Sequence, residues 1–440
     1  MPEILFRYQR VEPTTWAYLS SLLMLALYFK FSRFWSVRNL DLVILILLSP
    51  ALLLVKYGLE NAAVADSAAI IEHVGYIWLF SVSGCLLLRL LLDASMVRRP
   101  LLDPNLSVGG LTFLGISLCV FLMANVVTGM PSADDVAASQ QAAQLQNLEA
   151  SQAQLNTLKT HGPGFPLIFL LPQISTHSLL GRDAQNVEDV PDAPVRSVRL
   201  VHVVTSQAMA ILSQLAIVVG MTLVGLRHFE NVKAGIAAAT LYLLLPYTAM
   251  WTGSVTHAVP GALLVWAVVA YRRPLIAGAM IGLAFGTIYY PLFLLPFWIS
   301  FYWRRGLWRF LSGFAAMVAV LVITLAFTTS DVGMFLACLQ QMFGIQFPVA
   351  ENLRGAWQFW NEVYRYPILA AFIALSLSFT LWPAQKNLAT LISCSAALML
   401  GTQFWYAHSG GLALAWYLPL LLLTVFRPNL EDRVALAVVK

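Results

Sequence analysis

Three features of the sequence predict an all-α, polytopic membrane fold. Hydrophobic residues make up 59% of the 440 and charged residues 11%, with a mean hydropathy of +0.75. A soluble domain carries roughly 25% charged residues. Apolar runs of about 15 to 23 residues recur along the chain, close to the ~20 a helix needs to cross a bilayer. Basic residues pair up in the short loops between runs, on alternate loops, which fixes one face as cytoplasmic.

Taken in order, the expected spans are 15–32, 41–57, 73–92, 107–129, 203–226, 234–252, 256–271, 274–288, 289–303, 308–328, 366–384, 387–405 and 411–426, about 12 or 13 in all. The first follows Arg7 and Arg10 and contains Lys30, so it either spans or lies in the interface. The pairs Arg33/Arg38, Arg98/Arg99, Arg227/Lys233, Arg272/Arg273 and Arg304/Arg305, with Lys386, mark the cytoplasmic loops and leave the C-terminus on that side. The run from Leu275 to Trp303 is too long for one helix and carries Tyr289-Tyr290-Pro291 at its middle. A hairpin of two short half-helices fits it, because proline breaks the helical hydrogen-bond ladder. The expected location is a bacterial cytoplasmic membrane, with no cleavable signal peptide, since the first apolar run lacks an A-x-A-like site.

Two polar regions face the opposite, outer side. Residues 130–202 open with Asp134-Asp135 and continue as "ASQQAAQLQNLEASQAQLNTLK", an Ala/Gln-rich helix with Leu145, Leu148, Leu155 and Leu158 on one stripe, suited to lying on the membrane or on neighbouring helices. "THGPGFPLIFLLPQ" follows, with Gly and Pro against regular helix before a short apolar patch, then an acidic loop ending in Arg196 and Arg199. Residues 329–365 read as an amphipathic helix, "DVGMFLACLQQMFG", and then a segment whose Trp357, Trp360, Tyr364 and, just beyond, Tyr366 suit headgroup depth.

The span interiors hold almost no Asp, Glu, Lys or Arg; Asp41, Lys56, Arg89 and Arg309 sit near ends. Ion-coupled transport places ionisable groups at mid-membrane, so the pattern weighs against it. Six of seven histidines, His73, His161, His177, His202, His257 and His408, fall at the outer face with Asp66, Glu72, Asp134 and Asp135. That mouth alone gathers groups for acid/base chemistry. The four cysteines show no paired spacing, so neither a disulfide nor a thiolate metal site is expected. The +5 charge comes from scattered loop anchors and does not suggest nucleic acid.

The stretch "LYLLLPYTAMWTGSVTHAVPGALLVWAVVAYRRPLIAGAMIGLAFGTIYYPLFLLPFWISFYWRRGLWRFLSGFAA" resembles the central helices of GT-C superfamily membrane glycosyltransferases. It is most similar to the polyprenol-phosphate-mannose-dependent mannosyltransferases, glycosyltransferase family 87-like. The likeness runs from about Asn125 to the C-terminus and leaves residues 1–106 as added N-terminal helices. It implies inverting transfer of a mannose-like hexose from a polyprenyl-phosphate donor, held among membrane lipids, to a glycan, lipid or protein acceptor on the outer face. It also implies a first-loop carboxylate as general base, Asp134 or Asp135, between which the sequence does not choose. Both acids could instead cap the helix that follows. For the donor phosphate, the resemblance points to Arg354, then Arg196, Arg199 and Lys159, with His161, His257, Tyr289 and Tyr290 lining the substrate site. Where relatives often carry a basic residue before the aromatic-Pro turn, this chain has Ile288, and Asp-Asp replaces the spaced Asp-x-Asp of metal-dependent relatives. No metal or cofactor is therefore expected. Two other readings remain open: a carrier or flippase for a lipid-linked substrate, and a non-catalytic subunit docking partners through its outer loops.

Overall fold

A computed structural model describes residues 11–62, 67–96, 102–146, 162–169, 193–303, 305–328, 332–343, 353–430 and 433–435. The chain is a helical membrane protein. Helices α1 (Pro13–Tyr28), α2 (Val37–Asn61), α3 (Ala68–Leu92) and α4 (Val108–Val127) come first. Helix α5 (Ala133–Gln146) and the single turn α6 (Gly164–Ile168) follow outside them. The long α7 (Ala193–Arg227) leads to α8 (Val232–Leu244), α9 (Pro246–Trp251), α10 (Val255–Val269) and α11 (Pro274–Thr287). Then come a 3-10 segment (Tyr290–Leu294) running into α12 (Leu295–Phe301), α13 (Leu307–Thr328), α14 (Val332–Phe343), α15 (Arg365–Ser378), α16 (Leu388–Thr402) and α17 (Leu418–Phe426). Among the described residues five helices are long and apolar enough to cross a bilayer by length and composition: α2, α3, α4, most of α7, and α13.

Local chemistry sets the boundaries. Ser36, Ser107, Asn231 and Asn387 each accept a backbone N–H at the start of α2, α4, α8 and α16, meeting donors the helix leaves open. α1 stops at Tyr28, so Lys30 lies beyond the first span rather than within it. The stop has a cause: the Asn105 amide donates to the carbonyls of Ala26 and Phe29, and the Asn39 amide to those of Lys30, Arg33 and Phe34. The expected span 234–252 is two helices, because Pro246 has no N–H and Leu245 takes an extended conformation before it. In the hairpin, Ile288 is extended between α11 and the Tyr290 segment, and Pro291, which has no N–H to give, sits in the first turn of that segment. At the C-terminus α17 is shorter than expected. Residues 411–417 form a turn and a short 3-10 helix (Leu414–Trp416), with Gly411 at φ +89°.

Packing is tightest where small residues let backbones touch. A Cβ on Gly278 of α11 would overlap the carbonyl oxygen of Phe310, and one on Gly313 of α13 that of Leu275, so the two helices cross in backbone contact. Every residue of α16 is buried, as expected of a helix apolar on all sides. Two of the expected basic loop groups meet at Asp103, where Lys233 pairs with the carboxylate at 2.7 Å and Arg38 donates to the carbonyl, and Arg433 meets Glu230. Arg89 holds Asp41 with two hydrogen bonds, at 2.7 and 3.1 Å, and Asp93 at 2.9 Å. Arg427 closes the network on Asp93 at 2.7 Å. Asp41, Arg89, Asp93 and Arg427 are thus paired with one another, which offsets their removal from water.

Candidate active site

Around the start of α5 the chain gathers aromatic and acidic groups. α5 begins with Ser132, whose hydroxyl oxygen accepts the Asp135 N–H at 3.1 Å and whose O–H donates to Asp135 Oδ2 at 2.7 Å. This Ser-x-x-Asp arrangement explains why the helix starts here and turns Asp135 inward. The same Oδ2 accepts the N–H of Val255, the first helical residue of α10, at 3.2 Å, and the Thr256 N–H also faces the carboxylate. The Asp135 carbonyl accepts the Ser206 hydroxyl at 3.1 Å. Asp135 is fully buried and its Oδ1 has no hydrogen-bond partner. Burial raises its pKa to about 6, against the pull of the Ser132, Val255 and Thr256 hydrogen bonds, with a small added push from Asp134.

The two acids therefore differ in kind. Asp135 caps α10 from inside the protein, where the positive end of that helix favours it. Asp134 is exposed. Burial raises the Tyr406 phenol, and the Asp134 charge lies within electrostatic reach of it, at the edge of an aromatic cluster. Within it Tyr290 stacks on Trp416 at 5.4 Å and meets Tyr406 at 5.2 Å and Trp405 at 5.3 Å edge-on. Trp416 is steered by its indole N–H, which donates to the Thr256 carbonyl at 3.2 Å, so the Asp135-capped turn also anchors the cluster.

His257, in the first turn of α10, pairs through Nδ1 with the Tyr247 hydroxyl at 2.9 Å, and Trp251 stacks on Tyr247 at 5.2 Å. The Tyr247 oxygen accepts the Ala415 N–H at 3.1 Å, tying the 3-10 turn before α17 to the site. A cavity of about 260 Å³ opens nearby, lined in part by Asn125, Ser132, Gln207, Trp251, Thr252 and Ser254.

The expected site residues thus divide. Asp134, Asp135, His257 and Tyr290 come together. Tyr289 does not join them: it packs against Phe285 beside Leu321 and Met342, because consecutive residues at the hairpin break point in opposite directions. Arg196 and Arg199 belong to the first turns of α7 rather than to the loop before it, and only their backbone is described. Arg354 forms a two-residue parallel pairing with His408, again described by backbone alone. Lys159, His161 and His177 lie outside the described residues, as do Leu148, Leu155 and Leu158 and the later part of the Ala/Gln stretch. A turn of helix does form in the Gly/Pro segment: Gly162 donates to the Thr287 carbonyl at 2.9 Å, and α6 buries Phe165 and Ile168 against α5 and α10.

Glu72 and His73 serve as a dock for residues 358–360. Gln358 donates to Glu72 at 2.7 Å, Trp360 to His73 at 3.0 Å, and Phe359 stacks on His73. Trp357 is 2% exposed, a core residue rather than an interfacial one, and the Arg365 guanidinium lies 5.9 Å over its ring. Arg365 is the cation that sequence reasoning passed over. It opens α15 and is 4% exposed, its Nε donating to the Trp405 carbonyl at 3.2 Å, and it lies within electrostatic reach of Tyr290. The available signal was a lone arginine wedged between tyrosines at a span entrance, "VYRYP". Among the described residues no group of three or more His, Cys, Asp or Glu could hold a metal ion. No protein family, curated protein or solved structure matches the chain.

Proposed function

We propose that this chain is a GT-C-type glycosyltransferase with 12 or 13 transmembrane helices. It moves a mannose-like hexose from a polyprenyl-phosphate donor to an acceptor on the outer face of a bacterial cytoplasmic membrane, with the C-terminus cytoplasmic. The observation that carries this reading is the Tyr290/Tyr406/Trp416 cluster with the exposed Asp134 within electrostatic reach of Tyr406. Aromatic faces suit the apolar faces of a pyranose, and a carboxylate at their rim suits an incoming hydroxyl. Asp134 takes the proton of the acceptor hydroxyl as its oxygen bonds to the anomeric carbon. The bond from that carbon to the phosphate oxygen breaks, and polyprenyl phosphate leaves with the electron pair. Asp135 acts as a positioning residue through α10.

The test is transfer of radiolabelled sugar from polyprenyl-phosphate donors to membrane acceptors, with wild type, Asp134→Asn and Asp135→Asn proteins matched for folding. Loss of about 10²- to 10⁴-fold is expected for Asp134→Asn, the usual worth of a general base, and a lesser loss for Asp135→Asn. Wild-type inactivity across donors, or an undiminished Asp134→Asn protein, would overturn the reading in favour of a docking subunit.

A further inference from the structure

The turn between α1 and α2 presents three aromatic rings outward. Phe31, Phe34 and Trp35 are 76%, 58% and 82% exposed. Beneath them Phe29 is buried, its ring centroid 4.9 Å from that of Phe31 and 5.3 Å from that of Phe34, and Trp35 meets Phe34 edge-on at 5.5 Å. The turn is clamped from inside. The buried Asn39 amide donates to the carbonyls of Lys30, Arg33 and Phe34, and its oxygen accepts the Lys30 N–H at 3.1 Å. A satisfied buried side chain that bonds the backbone on both sides of the turn fixes its shape, so the rings are held out by the fold.

The charge around the turn is mainly of one sign. Lys30 Nζ donates to the neutral Asn105 amide oxygen at 2.7 Å, which leaves its charge uncompensated. Arg33 is exposed, and its guanidinium makes no hydrogen bond or ion pair among the described residues; it lies within electrostatic reach of Arg38. Arg38 donates to the Asp103 carbonyl, and the Asp103 carboxylate is paired with Lys233 at 2.7 Å. Lys30, Arg33, Arg38 and Lys233 thus share one acid, and these five groups carry an excess of three positive charges.

The surroundings decide what meets this surface. α2 is long and apolar enough to span a bilayer and begins at Val37, two residues after Trp35. The rings and cations of the turn therefore lie where hydrocarbon gives way to headgroups. Cations at that depth, with aromatic faces beside them, complement an amphiphile with an anionic head and acyl chains.

We propose that the α1–α2 turn docks an anionic phospholipid, with its headgroup on Lys30, Arg33 and Arg38 and its acyl chains against Phe31, Phe34 and Trp35. The site does not depend on the glycosyl-transfer reading. It gives a role to the first two helices, which the resemblance leaves outside.

The experiment uses the full chain in phosphatidylcholine nanodiscs holding a little phosphatidylglycerol with a photoreactive diazirine near the glycerol end of one acyl chain. Cross-links should concentrate on residues 29–38. Unlabelled phosphatidylglycerol should compete, and inorganic phosphate should not. A basic residue at an anionic surface is worth roughly fivefold in binding, so Lys30→Gln with Arg33→Gln should cut labelling of the turn about tenfold or more. Trp35→Ser should lower it without moving the thermal unfolding, because the ring is exposed. Lys56→Gln, about 27 Å from Arg38 along α2, should change nothing. Labelling spread evenly over the lipid-facing helices, equal labelling by a phosphatidylcholine probe, competition by inorganic phosphate, or indifference to the paired substitution would overturn the assignment. A photoreactive benzophenone in place of Phe31, irradiated in native membranes, should add the mass of a phospholipid. An adduct of polypeptide mass there would overturn the assignment in favour of a protein partner.

Discussion

Replacing Asp135 with asparagine should stabilise this protein at neutral pH and remove part of its pH dependence. The side chain is fully buried, and its pKa rises from the ordinary 3.8 to about 6. The folded state therefore holds this proton more tightly than the unfolded chain does. Below about pH 4 the carboxyl is protonated in both states and nothing is lost; stability falls as pH rises through 4 to 6, and the full penalty persists above. That rise corresponds to about 3 kcal/mol. Asparagine resembles the protonated acid in shape, and its oxygen can still accept the Val255 and Ser132 hydrogens. Thermal unfolding of wild type and Asp135→Asn, in one detergent across pH 4 to 7.5, reads the effect as the difference between two curves. The curves should converge at the acid end and separate by a few degrees above pH 6, the variant unfolding later. Parallel curves, or a variant less stable at pH 7, would refute the idea that Asp135 is an inward-facing cap carrying a desolvation penalty.

Three further outcomes are expected. Arg89→Met leaves Asp41 without its guanidinium in the interior, while Asp93 keeps Arg427, and should lower stability by about 3–5 kcal/mol in denaturation, the usual cost of breaking a buried pair. Tyr247→Phe removes the acceptor for the Ala415 N–H and the partner of His257, and should cost about 1–3 kcal/mol in the same measurement. A membrane-permeant maleimide should label Cys85, which is exposed, and spare Cys338 and Cys394 until the protein unfolds, as read by mass spectrometry.

The apolar runs made most helices readable from the sequence, because crossing a bilayer is a local problem of length and composition. Even the hairpin was readable, since a run of that length is too long for one helix and Pro291 suits the first turn of a second. What stayed hidden depends on distant partners. Nothing near Asp135 announces that its carboxylate meets the N–H of Val255, 120 residues away, so the adjacent acids looked equivalent until α10 separated them. Arg365 was overlooked for the same reason. Its burial comes from Trp357 and the Trp405 carbonyl rather than from its own helix. The Leu245–Pro246 break was local and could have been read, but the apolar count of the surrounding run outweighed a single proline.

The ion network around Arg89 has a consequence for how the chain is made. Asp41, Arg89 and Asp93 emerge early and carry one negative charge too many for their surroundings, and the missing positive charge arrives with Arg427, 334 residues after Asp93. At roughly 5–20 residues per second of synthesis, the first helices wait about 20 to 70 s for it. Through that interval the α2–α3 pair has its packing surface but an unbalanced interior. Completion of the last helix is then the event that settles the first ones, and a nascent chain cut short before residue 427 would be marked by an unneutralised acid inside its oldest part.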